Sequence, residues 1–472
     1  MPHRCVRIGS FLFLIVWGLG ATPARAQTDL VRELQRASVI GNVSGDGHWA
    51  HWGPIPEIYM GWGSHSNRLI PVYTFGTKGA GTGVDLADYQ GENSVYRSAA
   101  ELERIYGRVP PNTLNPQAEY LDQTDIGRIQ RAGLTQGKKY IFLVVFDGMD
   151  WQTTWAAATY NRQKVSYRSG RGEGTHFQEY PADGTTQYGF MVTSPYSYEL
   201  EISVDRQAVG KPKREQFGGY NPQKLGPNPW TPGNDWLYPI GKSINDPHQL
   251  GEHTYPDSAA TATAMCAAVK IPNDAINVDF QGRQLTTIAH EAQTQGRSVG
   301  VVTSVPFSHA TPACAYAHNV HRDDYQDLTR DLLGLPSVSH PGTPLPGVDV
   351  LLGGGFGDEL QVDKKKSQGE NFVPGNKWIT PADLRAIDVE RGGKYVVAQR
   401  TRGVRGRDFL AAQANVAAEQ GQRLFGMFGA IKGHLPYQTA DGHYDPTVGN
   451  QFKAEEYIVA DIEENPKLSD MT

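Results

Sequence analysis

The chain has 472 residues, 39% of them hydrophobic and 20% charged, which is long enough for one large domain or two smaller ones with an ample core. Aromatic residues at 10% argue against general disorder, and 53 glycines with 30 prolines predict many loops without the strict period of a collagen. A net charge of −6 gives no basis for nucleic acid or an anionic membrane as the main partner.

Arg4 and Arg7 precede an apolar run from Ile8 to Ala21, and Ala24-Arg25-Ala26 places small residues ahead of Gln27. This layout predicts a secretory signal peptide over residues 1–26, cleaved after Ala26, and hence an exported protein, periplasmic or secreted. The competing reading is an uncleaved anchor, for which the run is short. Loss of Arg4, Arg7 and Arg25 takes the net charge from −6 to −9. No later segment has the apolar length of a spanning helix, so no stable membrane insertion is expected. Cys5 leaves with the peptide. Cys266 and Cys314 sit among small apolar residues, which favours buried free thiols over a disulfide.

Residues 27–137 are rich in glycine, proline and polar residues and carry one clear helical stretch, Ser98 to Tyr106. The Thr77–Gly83 segment resembles a phosphate loop only in its glycines, since it lacks a closing Gly-Lys-Ser/Thr. His48, His51 and His65 could ligate a metal but read better as members of aromatic-rich surface loops. At Lys138 the texture changes. Lys139 to Phe146 is a continuous apolar, β-branched run, the composition of a central strand covered on both faces, and it ends at Asp147. A helix is expected over Trp151 to Asn161.

Residues 165–250 are poor in apolar runs and read as an insertion or cap. Beyond them the predicted elements alternate: a helix over Leu285 to Thr294 closed by Gly296, a buried strand over Ser298 to Thr303, and a strand over Val348 to Leu352. A helix over Arg407 to Gly421 and a strand over Arg423 to Phe428 follow. Such alternation predicts an α/β fold with a mainly parallel sheet, whose ligands bind at the carboxyl ends of the strands. That rule singles out Asp147.

Two segments carry candidate chemistry. Asp257-Ser258 precedes about ten small and apolar residues of helical character. The serine hydroxyl would sit at a helix N-terminus, beside an anion-binding end, unless the pair merely supplies an N-cap, as Asp or Ser routinely does. Further on, His309 and Thr311 lie two residues apart after a buried strand and can both face a hard cation. Eleven residues past Thr311 stands Arg322, whose guanidinium fork suits phosphate oxygens.

In this order, FDGMD at 146–150, PDSAATATA at 256–264 with VKIPNDAINVD at 269–279, SHATPACAYAH at 308–318 with HR at 321–322, LLGGGFG at 351–357 and NPKLSDMT at 465–472 resemble the alkaline phosphatase family. The resemblance runs from about residue 138 to 472. It implies a three-layer α/β/α sandwich around a mainly parallel sheet and an enzyme that hydrolyses small phosphomonoesters at alkaline pH through a phosphoserine. By the same resemblance Ser258 is the nucleophile and Arg322 holds phosphate, while Asp147, Ser258, His309 and Thr311 line the metal positions. Two Zn2+ and one Mg2+ are the cofactors it implies, and it is compatible with a homodimer. Two alternatives are a related phosphodiesterase or sulfatase-like hydrolase, and a non-catalytic exported phosphate-binding protein.

Phe146 and Asp150 flank Asp147 where relatives more often carry small residues. In the family a strand with an EGGxIDxxxH-type motif and later histidines supply most zinc ligands. The expectation is therefore a C-terminally incomplete chain with only part of the site. His434 and His443 read as loop histidines.

Overall fold

A computed structural model describes residues 69–76, 84–147, 149, 151–162, 164–167, 170–182, 185–196, 200–212, 218–225, 242–243, 246–250, 256–399, 401, 404 and 406–428. The expected signal peptide, His48, His51, His65, residues 77–83, Asp150, His434, His443 and the NPKLSDMT segment lie outside the described residues.

In chain order the main elements begin with β1 (Leu69–Thr74), α1 (Ala99–Tyr106), β2 (Leu121–Asp122), α2 (Gln123–Thr135), α3 (Trp151–Arg162) and β3 (Gln187–Val192). Then come α4 (Ser258–Ala267), α5 (Ile288–Thr294), β4 (Gly300–Pro306), α6 (Tyr325–Leu333), β5 (Val350–Gly354), β6 (Tyr395–Gln399), α7 (Gly406–Gln420) and β7 (Arg423–Met427). Ser98 caps α1 by accepting from Glu101 N, and Gly107 closes it in the left-handed region at φ 69°.

Strands β6, β7, β5 and β4 form one sheet in that order, and every pairing is parallel. The period of two along each strand divides its side chains between two layers. Leu424, Val396 and Ala398 pack with Leu410 and Ala417 of α7 on one face. Phe425, Met427, Leu351 and Val301 pack on the other face with Leu328 and Leu332 of α6, Ala289 of α5, and Ala259, Ala262 and Met265 of α4. The fold is an α/β/α sandwich around a parallel sheet.

Residues before the apolar run join this same core: Val72, Leu86, Leu121 and Ile126 are members of it. In a second sheet β3 pairs antiparallel with β1 and parallel with β2. Helix α2 lies close against α4. A Cβ on Gly127 would lie 3.0 Å from the Ala268 backbone nitrogen and 3.1 Å from the Met265 carbonyl, so a larger residue would require the two helices to give by a few tenths of an ångström.

Two strand expectations are corrected. The run at 139–146 has no ladder partner among the described residues, and its apolar side chains are 36% to 84% exposed. Lys138 O accepts from Arg297, just ahead of β4, while Asp147 meets Thr311, just beyond β4. The run is therefore strung along β4 in the same direction without pairing to the sheet. Its exposure alternates residue by residue, and Tyr140 stacks on Phe142 at 6.4 Å, as side chains two apart on an extended chain do. The strand expected to be buried at 298–303 is β4, which is buried on one face only. Val301 lies in the core, but Val302 is 56% exposed because α7 covers the neighbouring strands instead.

Candidate functional site

Helix α4 is built from alanine, threonine, methionine and cysteine, and almost every residue from Ala259 to Ala267 is buried, as befits a helix that is apolar all round. Its cap is Asp257, whose Oδ1 accepts from Ala260 N at 2.8 Å. Asp257 is thus the cap that the sequence expected of either Asp257 or Ser258, and Ser258 is the first helical residue. Asp257 Oδ2 also accepts from Asp274 N at 3.0 Å and from Arg322 Nη1 at 2.9 Å. One carboxylate so ties the end of α4 to the guanidinium, and a second tether runs from Arg322 N to Asp274 O at 2.6 Å. Burial and the nearby Asp257 raise the Asp274 carboxyl above its ordinary range, against the pull of His321 and Arg322.

Strand β4 delivers the second group. It runs into the short helix Ala310–Ala313, with His309 at its start. Burial holds the His309 imidazole well below its usual range, at about 4. Arg322 and Lys377 push the same way, and Asp147 and Asp323 oppose. The ring is neutral at pH 7, and its buried Nδ1 has no hydrogen-bond partner among the described residues. Thr311 Oγ1 donates to Asp147 Oδ2 at 3.1 Å. Trp378 stands 6.3 Å from the His309 ring, and Lys377 lies over both Tyr325 and Trp378.

The five residues singled out from sequence therefore meet. Asp147 joins Thr311 directly, Arg322 joins the residue next to Ser258, and His309 feels the charges of both Arg322 and Asp147. Sequence reasoning missed Asp257 as the hub, although it adjoins Ser258. It also missed Lys377, which comes from a distant loop and carries no local signal. A surface groove lined in part by Arg97, Tyr120, Tyr188 and Phe190 shares none of these residues. The convergence of charged groups marks the site better than the size of that groove.

Asp147 Oδ2, Thr311 Oγ1 and the orphaned His309 Nδ1 suit one hard divalent cation of the magnesium class, for which oxygen donors are preferred. A zinc pair fits less well. Among the described residues no three His, Cys, Asp or Glu side chains converge around Ser258. Cys266 and Cys314 are buried free thiols, as expected from their surroundings, and burial pushes both upward, Cys266 to about 12.

Residues 240–469 match the family model for alkaline phosphatase. Over this span the chain is similar to the alkaline phosphatase family. Alkaline phosphatase 4 of Bacillus subtilis is 36% identical over 107 residues, 22% of each chain. Alkaline phosphatase 3 of the same organism is 32% identical over 146 residues, 30% of each chain. The tissue-nonspecific alkaline phosphatase of Gallus gallus is 36% identical over 115 residues, 21% of this chain and 22% of that one. These stretches span less than a third of the curated relatives' length. Among solved structures, the Thermus thermophilus alkaline phosphatase is similar at 21% identity and a TM-score of 0.26, over 46% of this chain and 36% of that one. No helix among the described residues is long and apolar enough to cross a membrane.

Proposed function

We propose that this chain is an exported phosphomonoesterase whose Ser258 takes up the phosphoryl group as phosphoserine. The observation that carries the reading is the link from Ser258 through Asp257 to Arg322, at the half-buried N-terminal end of α4, within a span that matches the alkaline phosphatase family model. At the first helical position, backbone N–H groups and the positive helix end favour a phosphate and the charge that develops during transfer. Arg322 has one N–H committed to Asp257, leaving further donors of its fork for two phosphate oxygens. Its charge draws in the anion, and Asp257 keeps the fork from swinging away. Lys377 adds a second positive charge on the His309 side.

Asp147, Thr311 and His309 would hold a magnesium-class cation, which when bound supplies charge neutralisation for a phosphoryl group. Residues 1–26 serve export in this reading, 27–137 precede the family-like part from 138 to 472, and 165–250 form an insertion in it.

The test is acid-trapped labelling of the full chain with radioactive inorganic phosphate and divalent metal, followed by mapping of the labelled peptide. Label on Ser258, absent from Ser258→Ala, is the expected result. Label that survives in Ser258→Ala overturns the role of this serine. Phosphate binding without label supports the non-catalytic alternative, and faster turnover of a phosphodiester than of a monoester supports the phosphodiesterase.

A further inference from the structure

A second cluster of ligand-type side chains lies outside the candidate site. His318 follows the short helix Ala310–Ala313, Asp331 is in the last turn of α6, and His340 is in the loop that leaves it. His318 Nδ1 is 3.1 Å from His340 Nε2, and His340 Nε2 is 3.7 Å from Asp331 Oδ2. All three ligand atoms lie within 4.8 Å of one another. We propose that His318 Nδ1, His340 Nε2 and Asp331 Oδ2 form a binding site for a divalent cation of the zinc class, structural in role, that clamps the loop after α6 onto the segment leading to Arg322.

The spacing suits such an ion. Zinc–nitrogen bonds of about 2.0–2.1 Å in a tetrahedron set neighbouring ligand atoms about 3.3 Å apart. The two shorter separations, 3.1 and 3.7 Å, bracket that edge. Nitrogen donors with one carboxylate favour zinc over magnesium or calcium, which prefer oxygen alone.

The surroundings orient the ligands as a metal site requires. His318 donates from Nε2 to Leu285 O at 2.8 Å, which fixes the tautomer and leaves the Nδ1 lone pair facing His340. Asp331 is held by Ser337, which donates to Oδ1, and by His318 N, which donates to Oδ2 at 2.9 Å. Ser337 also accepts from His340 N at 3.0 Å, closing the loop. His290 stacks on the outer face of His318 at 5.1 Å. Burial lowers both His318 and His340, so both rings are neutral at pH 7 and able to ligate. Side-chain exposure is 0% for Asp331 and 13% for His340, so three protein ligands would leave a fourth position toward solvent. The proposal does not depend on phosphoryl transfer.

The experiment strips the full chain with a chelator, titrates it with Zn2+, and counts bound zinc after gel filtration, comparing wild type with His340→Gln and Asp147→Asn. The expected result is that His340→Gln loses one zinc equivalent that Asp147→Asn retains. Co2+ loaded in place of zinc should give a four-coordinate visible band in wild type and none in His340→Gln. A measurement on wild type alone covers misfolding of the variant: Zn2+ should protect His340 from carbethoxylation by diethyl pyrocarbonate. Equal zinc counts in wild type and a folded His340→Gln overturn the site, leaving a hydrogen-bonded histidine pair, as does modification of His340 that zinc does not slow.

Discussion

Replacing Lys270 with methionine should cost the fold about 3–5 kcal/mol, the usual penalty for stranding one partner of a buried ion pair. Lys270 and Asp122 are 3% and 0% exposed and lie 3.0 Å apart. The ammonium also reaches Ser194 O at 2.9 Å and Gln123 Oε1 at 3.2 Å. Asp122 Oδ2 accepts from Tyr96 at 2.5 Å and from Ser194 at 2.9 Å, and Oδ1 caps α2 through Thr124 N at 2.8 Å. Methionine fills the space of the stem but leaves the carboxylate charged and short of its cation. Asp122→Asn should cost less, because burial already lowers the Lys270 pKa and the amine can shed its proton. The double variant should recover much of the loss, giving a coupling energy of about 2 kcal/mol or more. Urea unfolding followed by tryptophan fluorescence, with reversibility checked, measures all three. A loss below about 1 kcal/mol in Lys270→Met, or a double variant whose cost is the sum of the singles, would refute the account. The pair matters to the site because Lys270 lies just past the end of α4, where Ala268 turns the chain at φ 60°.

Asp125 offers a pH test with a definite sign. Burial raises its carboxyl to about 6, against the hydrogen bond donated by Asp122 N and the charge of Arg128, while the Asp122 charge adds to the rise. The folded state therefore holds a proton that the unfolded state has lost between about pH 3.9 and 6. The group's contribution is present below that window and is lost as pH rises through it, by about 2–3 kcal/mol in all. Asp125→Asn, which does not titrate, should gain on wild type by that amount between pH 4 and pH 7.5, and a stability difference that stays flat across this range would count against the assignment. Arg322→Ala removes up to two charge-assisted bonds to phosphate, together worth about 3 kcal/mol, so competitive inhibition by phosphate should weaken about a hundredfold. Unchanged inhibition would remove Arg322 from the phosphate site.

Three of the sheet's four strands were legible because their signals are local, whereas β6 was not read and the expected central strand at 139–146 does not pair among the described residues. Ala99–Tyr106, Gly406–Gln420 and Arg423–Met427 fall within a residue of their expected bounds, fixed by caps, period and apolar runs. The helix after Ser258 was legible in the same way, whereas the choice between Asp257 and Ser258 as cap depends on geometry that composition does not encode. Strand β3 was missed because QYGFMV carries a glycine and its partner β1 lies more than a hundred residues earlier. Gln90 and Leu121 side chains approach Gly189 so closely that a Cβ there would meet them at 2.3 and 3.2 Å, a requirement invisible in the sequence. The His318–Asp331–His340 cluster was missed for a related reason, since its spacing follows no metal motif and is created by the turn after α6.

The two halves of the candidate site are anchored to different depths, and this bears on how the site would respond to change. Ser258, Asp257 and Arg322 hang from α4 and from the Asp274 backbone, with Ala259, Ala260 and Thr263 buried directly beneath. His309 is carried by β4 and the buried Phe307 and Ala310. These groups cannot shift without disturbing the core, so the phosphate-facing half is preorganised. Asp147 instead ends a run of exposed apolar side chains that has no ladder partner among the described residues, tied at one end through Lys138 and at the other through Thr311, with Phe146 stacked on Phe177 at 5.5 Å. A single hydrogen bond contributes about 1 kcal/mol, too little to fix a carboxylate against thermal motion by itself. A cation shared by Asp147, Thr311 and His309 would add the missing constraint, so metal binding and the ordering of residues 138–147 are expected to be one event. Amide hydrogen exchange over this run should slow on adding Mg2+ in wild type and not in Asp147→Asn. Equal exchange with and without the ion would separate the two events and leave Asp147 outside the metal site.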